Sequence, residues 1–280
     1  MNPYLITGPA LVSFSGGRTS GFMLHEILRA YNGKLPDDVI VAFANTGKER
    51  EETLRFVNEC GLRWGVRIHW VEWRDGKPGF AEVDFSSASR NGQPFSALIA
   101  KKSRLPNGHE RWCTEYLKVR PIFELMRHQL CLEPGSYEEI IGLRHDEGMR
   151  IFRGMDRAAK DGRSVSYPLA KAKVLKSTVS AFWETQPFFL DLEPWEGNCD
   201  LCFQKGKGIR KRIIRDHPSA AAWWAGEEAG IGGQFDKRDS VAGLVNQVRV
   251  TPTLWEEFSD SFDDSMEYDV ECGLHCGVAA

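Results

Sequence analysis

The stretch ALVSFSGGRTSGFMLHEIL, residues 10–28, constrains the fold more than any other part of the chain. A short apolar run meets Gly16 and Gly17, then a cation and hydroxyls, and then apolar residues at helical spacing. Residues 10–14 read as a buried strand. Phe22, Met23, Leu24, Ile27 and Leu28 read as the apolar face of a helix over 19–31. A strand that turns through two glycines into a helix outlines an anion site. The glycines let backbone amides come close, and the helix start adds unpaired N–H groups and partial positive charge. Ser15, Thr19 and Ser20 offer hydroxyls to the same turn, and Arg18 offers a guanidinium fork. The Gly-Lys-Ser ending of a Walker A loop is absent. The plainer reading is a tight turn before a capped helix.

The segment DDVIVAFANTG predicts a second strand over 39–43 that ends in a polar turn, and 49–60 predicts a second helix. VRIHWVEW is a third strand. This alternation argues for an α/β fold, a parallel open sheet with helices on both faces. Ligands of such sheets bind beyond the carboxyl ends of the strands. Asn45, Thr46 and Gly47 then fall beside the first turn if the two strands are neighbours. Residues 75–110, rich in Gly, Ser, Asn and Lys, read as a long covering loop with one helical turn. A helix over 114–130 follows, with Pro121 as a point of breakage or restart. YEEIIGLRHDE is a fourth strand and its turn, and 177–185 a short helix. The character changes near Trp195. The expected organisation is an α/β domain over 1–195 and a cysteine-containing helical region with a tail over 196–280.

A net charge of −3 leaves no global basic field for nucleic acid or membrane, so any such partner needs a local patch. Residues 1–9 lack a basic start and a long apolar core, and no apolar run approaches a membrane span. The expectation is a cytoplasmic protein with no membrane partner; self-association is left open. Seven cysteines in a reducing compartment argue against a disulfide framework. Cys60 and Cys131 lie in apolar surroundings and read as buried structural thiols.

Cys199 and Cys202 form a Cys-x-x-Cys pair, which lets two thiolates reach one metal from one loop. Cys113 is a further candidate ligand. The stretch KGKGIRKRIIR, 205–215, holds six cations in eleven residues and reads as a helix. Its default reading is a solvated face; the functional one is a phosphate patch or a track for a nucleic-acid backbone. Trp223 and Trp224 read as core or interface residues, with stacking on bases as the functional alternative.

These motifs carry a resemblance. SFSGGRTS looks like the Ser-Gly-Gly-x-x-Ser loop of PP-loop ATP pyrophosphatases, and ANTGKEREETL resembles the matching segment of the phosphoadenosine-phosphosulfate reductase family. GLRHDE is similar to that family's Gly-x-Arg segment. The resemblance implies an adenine nucleotide α-hydrolase-like fold. It places nucleotide phosphates on Ser15, Gly16, Gly17, Arg18, Thr19, Ser20, Asn45, Thr46, Gly47 and Arg144. Cys113 with Lys118 and Pro121, followed by Cys-x-x-Cys, resembles the iron–sulfur framework of adenylyl-sulfate reductases, although Thr114 stands where those enzymes carry a second cysteine. The implied metal set is Cys113, Cys199, Cys202 and Cys276, holding a 4Fe-4S cluster, with zinc as the alternative. Glu-Cys-Gly-Leu-His, 271–275, looks like the catalytic motif of sulfonucleotide reductases, which implies Cys272 as the nucleophile and a thioredoxin-like thiol donor as partner. The first reading is therefore reduction of PAPS or APS to sulfite. The rival on the same scaffold binds ATP with Mg²⁺, adenylylates DNA or tRNA, and delivers sulfur. A third reading is a non-catalytic zinc-containing nucleotide or nucleic-acid binding module.

Overall fold

The computed structural model describes residues 2–250. Strand β1, Ala10–Ser13, leads into α1, Arg18–Ala30; β2, Val39–Ala44, into α2, Glu51–Trp64; and β3, Ile68–Trp73, into the short β4, Phe80–Val83. Next come α3, Gln93–Lys102, the single turn α4, Trp112–Thr114, and α5, Arg120–Leu130. Strand β5, Glu138–Ile141, runs through a 3₁₀ turn, His145–Glu147, into α6, Gly148–Lys160, and then β6, Ser164–Ser166. Helices α7, Pro168–Lys171, α8, Lys176–Glu184, α9, Lys207–Asp216, α10, Ala220–Ile231, and α11, Val241–Val250, complete the described residues.

Six strands make one sheet in the order β4-β3-β2-β1-β5-β6, parallel except for β4. Alternation along the central strands sends side chains to both faces. Val12, Phe14, Val41 and Phe43 pack with α1, α2 and Trp183 of α8. Leu11, Ile40, Ala42 and Val71 pack with Ile122, Leu125 and Met126 of α5. The sheet is thus covered on both faces, as expected. A third apolar cluster joins α3 and Trp112 to Cys199, Leu201, Phe203 and the helices α9 to α11. Among the described residues no helix is long and apolar enough to cross a membrane.

Three expectations need correction. The covering loop at 75–110 contains the antiparallel edge strand β4 and a ten-residue helix, α3. The helix carrying Pro121 does not break. A π-turn, Glu115–Val119, joins α4 to α5, and Arg120 N–H reaches back five residues to Glu115 O. That wider turn accommodates a proline that cannot donate to the preceding turn. Cys60 is buried, but Cys131 is exposed, capping α5 with a left-handed backbone (φ 56°).

Glu139 of β5 is wholly buried beside Arg163, whose Nη1 lies 3.1 Å from Oε2. Burial outweighs the guanidinium's attraction and pushes this carboxyl up to about 7. A carboxyl raised on folding contributes stability below its unfolded pKa and loses it as pH rises through the folded one. Between roughly pH 4.5 and 7.5, wild type should therefore lose about 2–3 kcal/mol relative to Glu139→Gln in urea unfolding. Parallel stability curves for the two proteins would show that Glu139 stays ionised throughout.

Candidate functional site

The chain runs β1, β2, β3 toward one edge of the sheet, then returns to place β5 on the other side of β1. Such a reversal leaves a crevice outside the carboxyl ends of the two adjacent strands. Ser13 and Ile141 are paired in register, so the turn after β1 and the segment 142–144 leave the sheet side by side. They open on a cavity of about 180 Å³ whose wall includes Ser15, Gly16, Gly17, Arg18, Thr19 and Arg144. Gly16 has φ +81°, and a Cβ there would lie 2.8 Å from Thr53 Cγ2 and 3.1 Å from a Phe43 ring carbon. Only glycine fits both the conformation and the space. Gly17 is extended and caps α1, whose first N–H groups lack intrahelical acceptors. Ser15 Oγ lies 2.9 Å from Ser20 Oγ, and Ser20 Oγ donates to Gly17 O at 3.0 Å, which ties the turn together.

Five basic side chains, Arg18, Arg111, Arg144, Lys176 and Lys205, line this cavity against one carboxylate, Glu193. Arg144 is buried. Its Nε donates to Asp146 at 3.0 Å and its Nη1 to Thr19 Oγ1 at 3.1 Å, so the guanidinium is fixed against the first turn of α1. Lys205 Nζ donates to Glu196 O and Asp200 O, both at 3.2 Å, and burial lowers its pKa. Arg18 differs from expectation. Its guanidinium donates to Leu190 O at 2.7 Å and to Leu192 O, and burial lowers its pKa. It tethers the segment 190–192 to α1 instead of presenting a free fork. Arg111, Lys176, Glu193, Trp195 and Asn198 also line the wall; Arg111 and Asn198 neighbour the cysteines of the sequence motifs, but sequence reasoning assigns none of the five to the site.

Asn45, Thr46 and Gly47 do not line the cavity, contrary to expectation. Asn45 is fully buried and donates to Glu72 Oε1 at 2.7 Å and Ser89 O at 2.8 Å. Its Oδ1 accepts from Gly47 N–H at 3.0 Å. Thr46 Oγ1 donates to Glu49 at 3.1 Å and lies 3.4 Å from Cys199 Sγ. Lys48 pairs with Asp200 at 2.9 Å, and Glu49 with Lys118 at 3.4 Å, with three of these four side chains about nine-tenths buried or more. Asp200 N–H donates to Lys48 O at 2.8 Å, and a bridge joins Glu49 to Cys199. The second-strand segment is a clasp on the Cys-x-x-Cys turn.

That turn brings sulfur to the cavity. Cys202 lies in the cavity wall with Lys205. Cys199 is buried, and Cys113 and Cys202 are partly buried against the same apolar cluster. Burial, then Glu49, hold the Cys199 thiol well above its usual pKa, opposed by Lys118. Among the described residues no three His, Cys, Asp or Glu side chains are grouped to hold a metal ion. Cys272, His275 and Cys276 lie outside the described residues.

The basic stretch is only in part a solvated face, with Lys207 exposed and Arg210 buried. Arg210 is buried on Asp236 at 2.7 Å, Lys207 pairs with Asp239 at 2.8 Å, and Arg212 stacks over Trp195 at 4.9 Å. Trp224 is core, its Nε1 donating to Asp200 at 2.7 Å, and Trp223 Nε1 donates to Ser96 Oγ at 2.9 Å.

No protein-family model matches the chain. It is 29% identical over 203 residues to the uncharacterized nin region protein ORF290 of Escherichia phage lambda, a match covering 70% of this chain and 66% of that protein. It is 27% identical over 155 residues to an uncharacterized protein of Methanocaldococcus jannaschii, covering 55% of this chain and 25% of that one. The chain thus spans just under two thirds of the first relative and a quarter of the second. The U34-tRNA thiolase NcsA from Methanococcus maripaludis, solved with its 4Fe-4S cluster, aligns with a TM-score of 0.39 and 14% identity over 90% of this chain and 75% of that one. At that level the likeness adds nothing to the geometry of the cavity.

Breaking the buried clasp on one side leaves an unpaired carboxylate. Lys48→Met should cost about 3 kcal/mol in urea unfolding, and adding Asp200→Asn should recover part of it. Additive losses in the double variant would mean that the two groups are not coupled.

Proposed function

We propose that this chain is an adenine-nucleotide-using enzyme of sulfur chemistry, with nucleotide phosphates held in the cavity between β1 and β5. One observation carries the reading. The Ser-Gly-Gly turn, Arg144, Lys205 and Cys202 line the same cavity at the reversal point of a parallel sheet. Helix-start amides and five cations suit a polyphosphate, and a thiol stands in the same wall. The intact Ser15–Ser20 loop favours ATP over a sulfonucleotide.

In this reading an acceptor oxygen on a nucleic-acid base or backbone attacks the α-phosphorus of ATP, brought in with Mg²⁺. The bond to the β-phosphate oxygen breaks and pyrophosphate leaves. Arg144, Lys176 and Lys205 neutralise the charge that builds on the phosphoryl oxygens. A sulfur nucleophile then displaces AMP from the adenylylated acceptor, which leaves the acceptor thiolated. DNA or tRNA is the acceptor class proposed. An iron–sulfur or zinc centre on Cys113, Cys199, Cys202 and Cys276 belongs to this reading as what the resemblance of the cysteine framework implies.

A second reading has its own observation. The Glu-Cys-Gly-Leu-His sequence around Cys272 favours sulfonucleotide reduction, in which the Cys272 thiolate attacks the sulfur of PAPS or APS, the S–O bond breaks and the nucleotide phosphate leaves. A donor thiol then attacks Cys272 Sγ, which releases sulfite and leaves a mixed disulfide that the donor's second thiol resolves.

Both are tested on anaerobically purified full-length protein, with its iron and sulfide content measured. AMP and pyrophosphate formation from ATP is followed with and without tRNA or plasmid DNA. Sulfite release from PAPS and APS is followed with and without thioredoxin. We expect acceptor-dependent AMP formation. Nucleotide affinity should fall about tenfold or more in Arg144→Ala and less in the exposed variant Lys176→Ala, since a hydrogen bond to a charged group contributes about 1.5–3 kcal/mol. Sulfite release that depends on Cys272, without AMP formation, would replace the first reading by the second. Nucleotide binding unchanged in both cavity variants would overturn both.

A further inference from the structure

Helix α6 divides its surface three ways. Gly154 and Ala158 are buried toward β6. Met149, Phe152 and Met155 stand on another side, 67%, 69% and 56% exposed. Arg150, Arg153, Arg157 and Lys160 lie beside that apolar stripe with one acid, Asp156. Arg150 pairs with Glu147, Arg157 with Asp161 at 3.4 Å and Lys160 with Asp156 at 2.8 Å, which leaves the helix itself with three more cations than acids. Among the described residues no other helix exposes more than one large apolar side chain. A soluble surface seldom leaves such a contiguous stripe uncovered.

The chain itself supplies a complement. Between 251 and 280 there are eight Asp or Glu residues and no Lys or Arg. Leu254, Phe258, Phe262, Met266 and Val270 recur at every fourth position, with carboxylates in every interval. This periodic apolar set flanked by acids matches an apolar stripe flanked by bases. A second copy of α6 would instead set cations against cations. Val250 ends α11, and twelve residues from there to Phe262 can span about 40 Å. A compact body of this size has a radius of gyration of about 18 Å.

We propose that the acidic segment 254–270 docks on the Met149, Phe152 and Met155 face of α6 within the same molecule. The proposal is independent of the reaction assigned to the cavity. It sets the carboxylates of that segment beside a helix that carries four cations and one acid, and removes the apolar stripe from water.

The test uses methionine oxidation in the full chain. Peroxide is added at low protein concentration, and sulfoxide at Met149 and Met155 is followed by peptide mass spectrometry. The core residue Met23 reports on global unfolding. If docking is favoured by a factor of about ten, the triple variant Phe258→Ser, Phe262→Ser, Met266→Ser should oxidise at Met149 and Met155 about tenfold faster than wild type, with Met23 unchanged. A second variant, Arg153→Glu with Arg157→Glu, should lose protection in the same way, and adding Asp263→Lys with Asp264→Lys should restore it. Equal oxidation rates in wild type and the triple variant would overturn the proposal. So would protection that vanishes on dilution, because a second copy or another partner would then be the occupant.

Discussion

Strand β1 is hydrogen-bonded on both sides, to β2 and to β5, and packed on both faces. A strand held in four directions leaves its exit little freedom. The chain must turn within a few residues, beneath the side chains of α2 and β2. Gly16 makes that turn in the left-handed region with Thr53 and Phe43 already in van der Waals reach. The start of α1 is thereby aimed along the crevice between β1 and β5. At Gly142 a Cβ would stand 3.2 Å from Ser20 Cα, so the exit of β5 presses on the same first turn. Position and electrostatics of the cavity follow from these two close approaches.

The cavity concentrates positive charge, and the fold has to hold that charge without a ligand. Two like charges 6 Å apart repel by about 3 kcal/mol at an effective dielectric near 20. Partial charges and carboxylates offset this. Arg18 rests on two carbonyls, Lys205 on two more, and Arg144 on Asp146, Glu147 and Thr19. Fixed partners also hold each donor in one place before anything binds, so little reorganisation is required of them when an anion enters. Arg18 shows the limit of this logic, since its guanidinium is used to hold the segment 190–192 that forms the opposite wall.

The central elements were legible because their side chains obey simple periods. Strands β1 and β2 are continuous apolar runs, as strands buried on both faces must be, and α1 shows its core stripe directly. Helix α6 was not legible because Met149, Phe152 and Met155 face away from the core, and the residues that pack are the small Gly154 and Ala158 and the partly buried Ile151. Strand β4 is a four-residue edge following Pro78 and Gly79, and β6 has three residues, too short for any period. The Gly-Gly turn stood out by its strand-to-helix pattern and Arg144 by the family resemblance of its segment, and both line the cavity at the reversal point. Strand-end reasoning, applied to the residues after β2, misplaced Asn45, Thr46 and Gly47. The end of β2 lies one strand away from that point and is covered by the Cys-x-x-Cys turn. Charge patterning located the cations of 205–215 but carried no information on direction, so a solvated face and a phosphate patch stayed open and neither the inward Arg210 nor the cavity-lining Lys205 was singled out.

The clasp between residues 46–49 and 199–200 explains why two cysteines on one turn are chemically unequal. Buried ion pairs such as Lys48–Asp200 contribute little net stability, because desolvation offsets most of the attraction. What they supply is position: a slipped turn would leave two charges unpaired in the interior. Held in this register, Cys199 faces Thr46 and Glu49 in the dry interior, where burial keeps its thiol protonated. Cys202, three residues on, emerges in the wall beside Lys205. The thiol that can meet a ligand in the basic cavity is therefore selected by the residues following β2, which do not line that cavity.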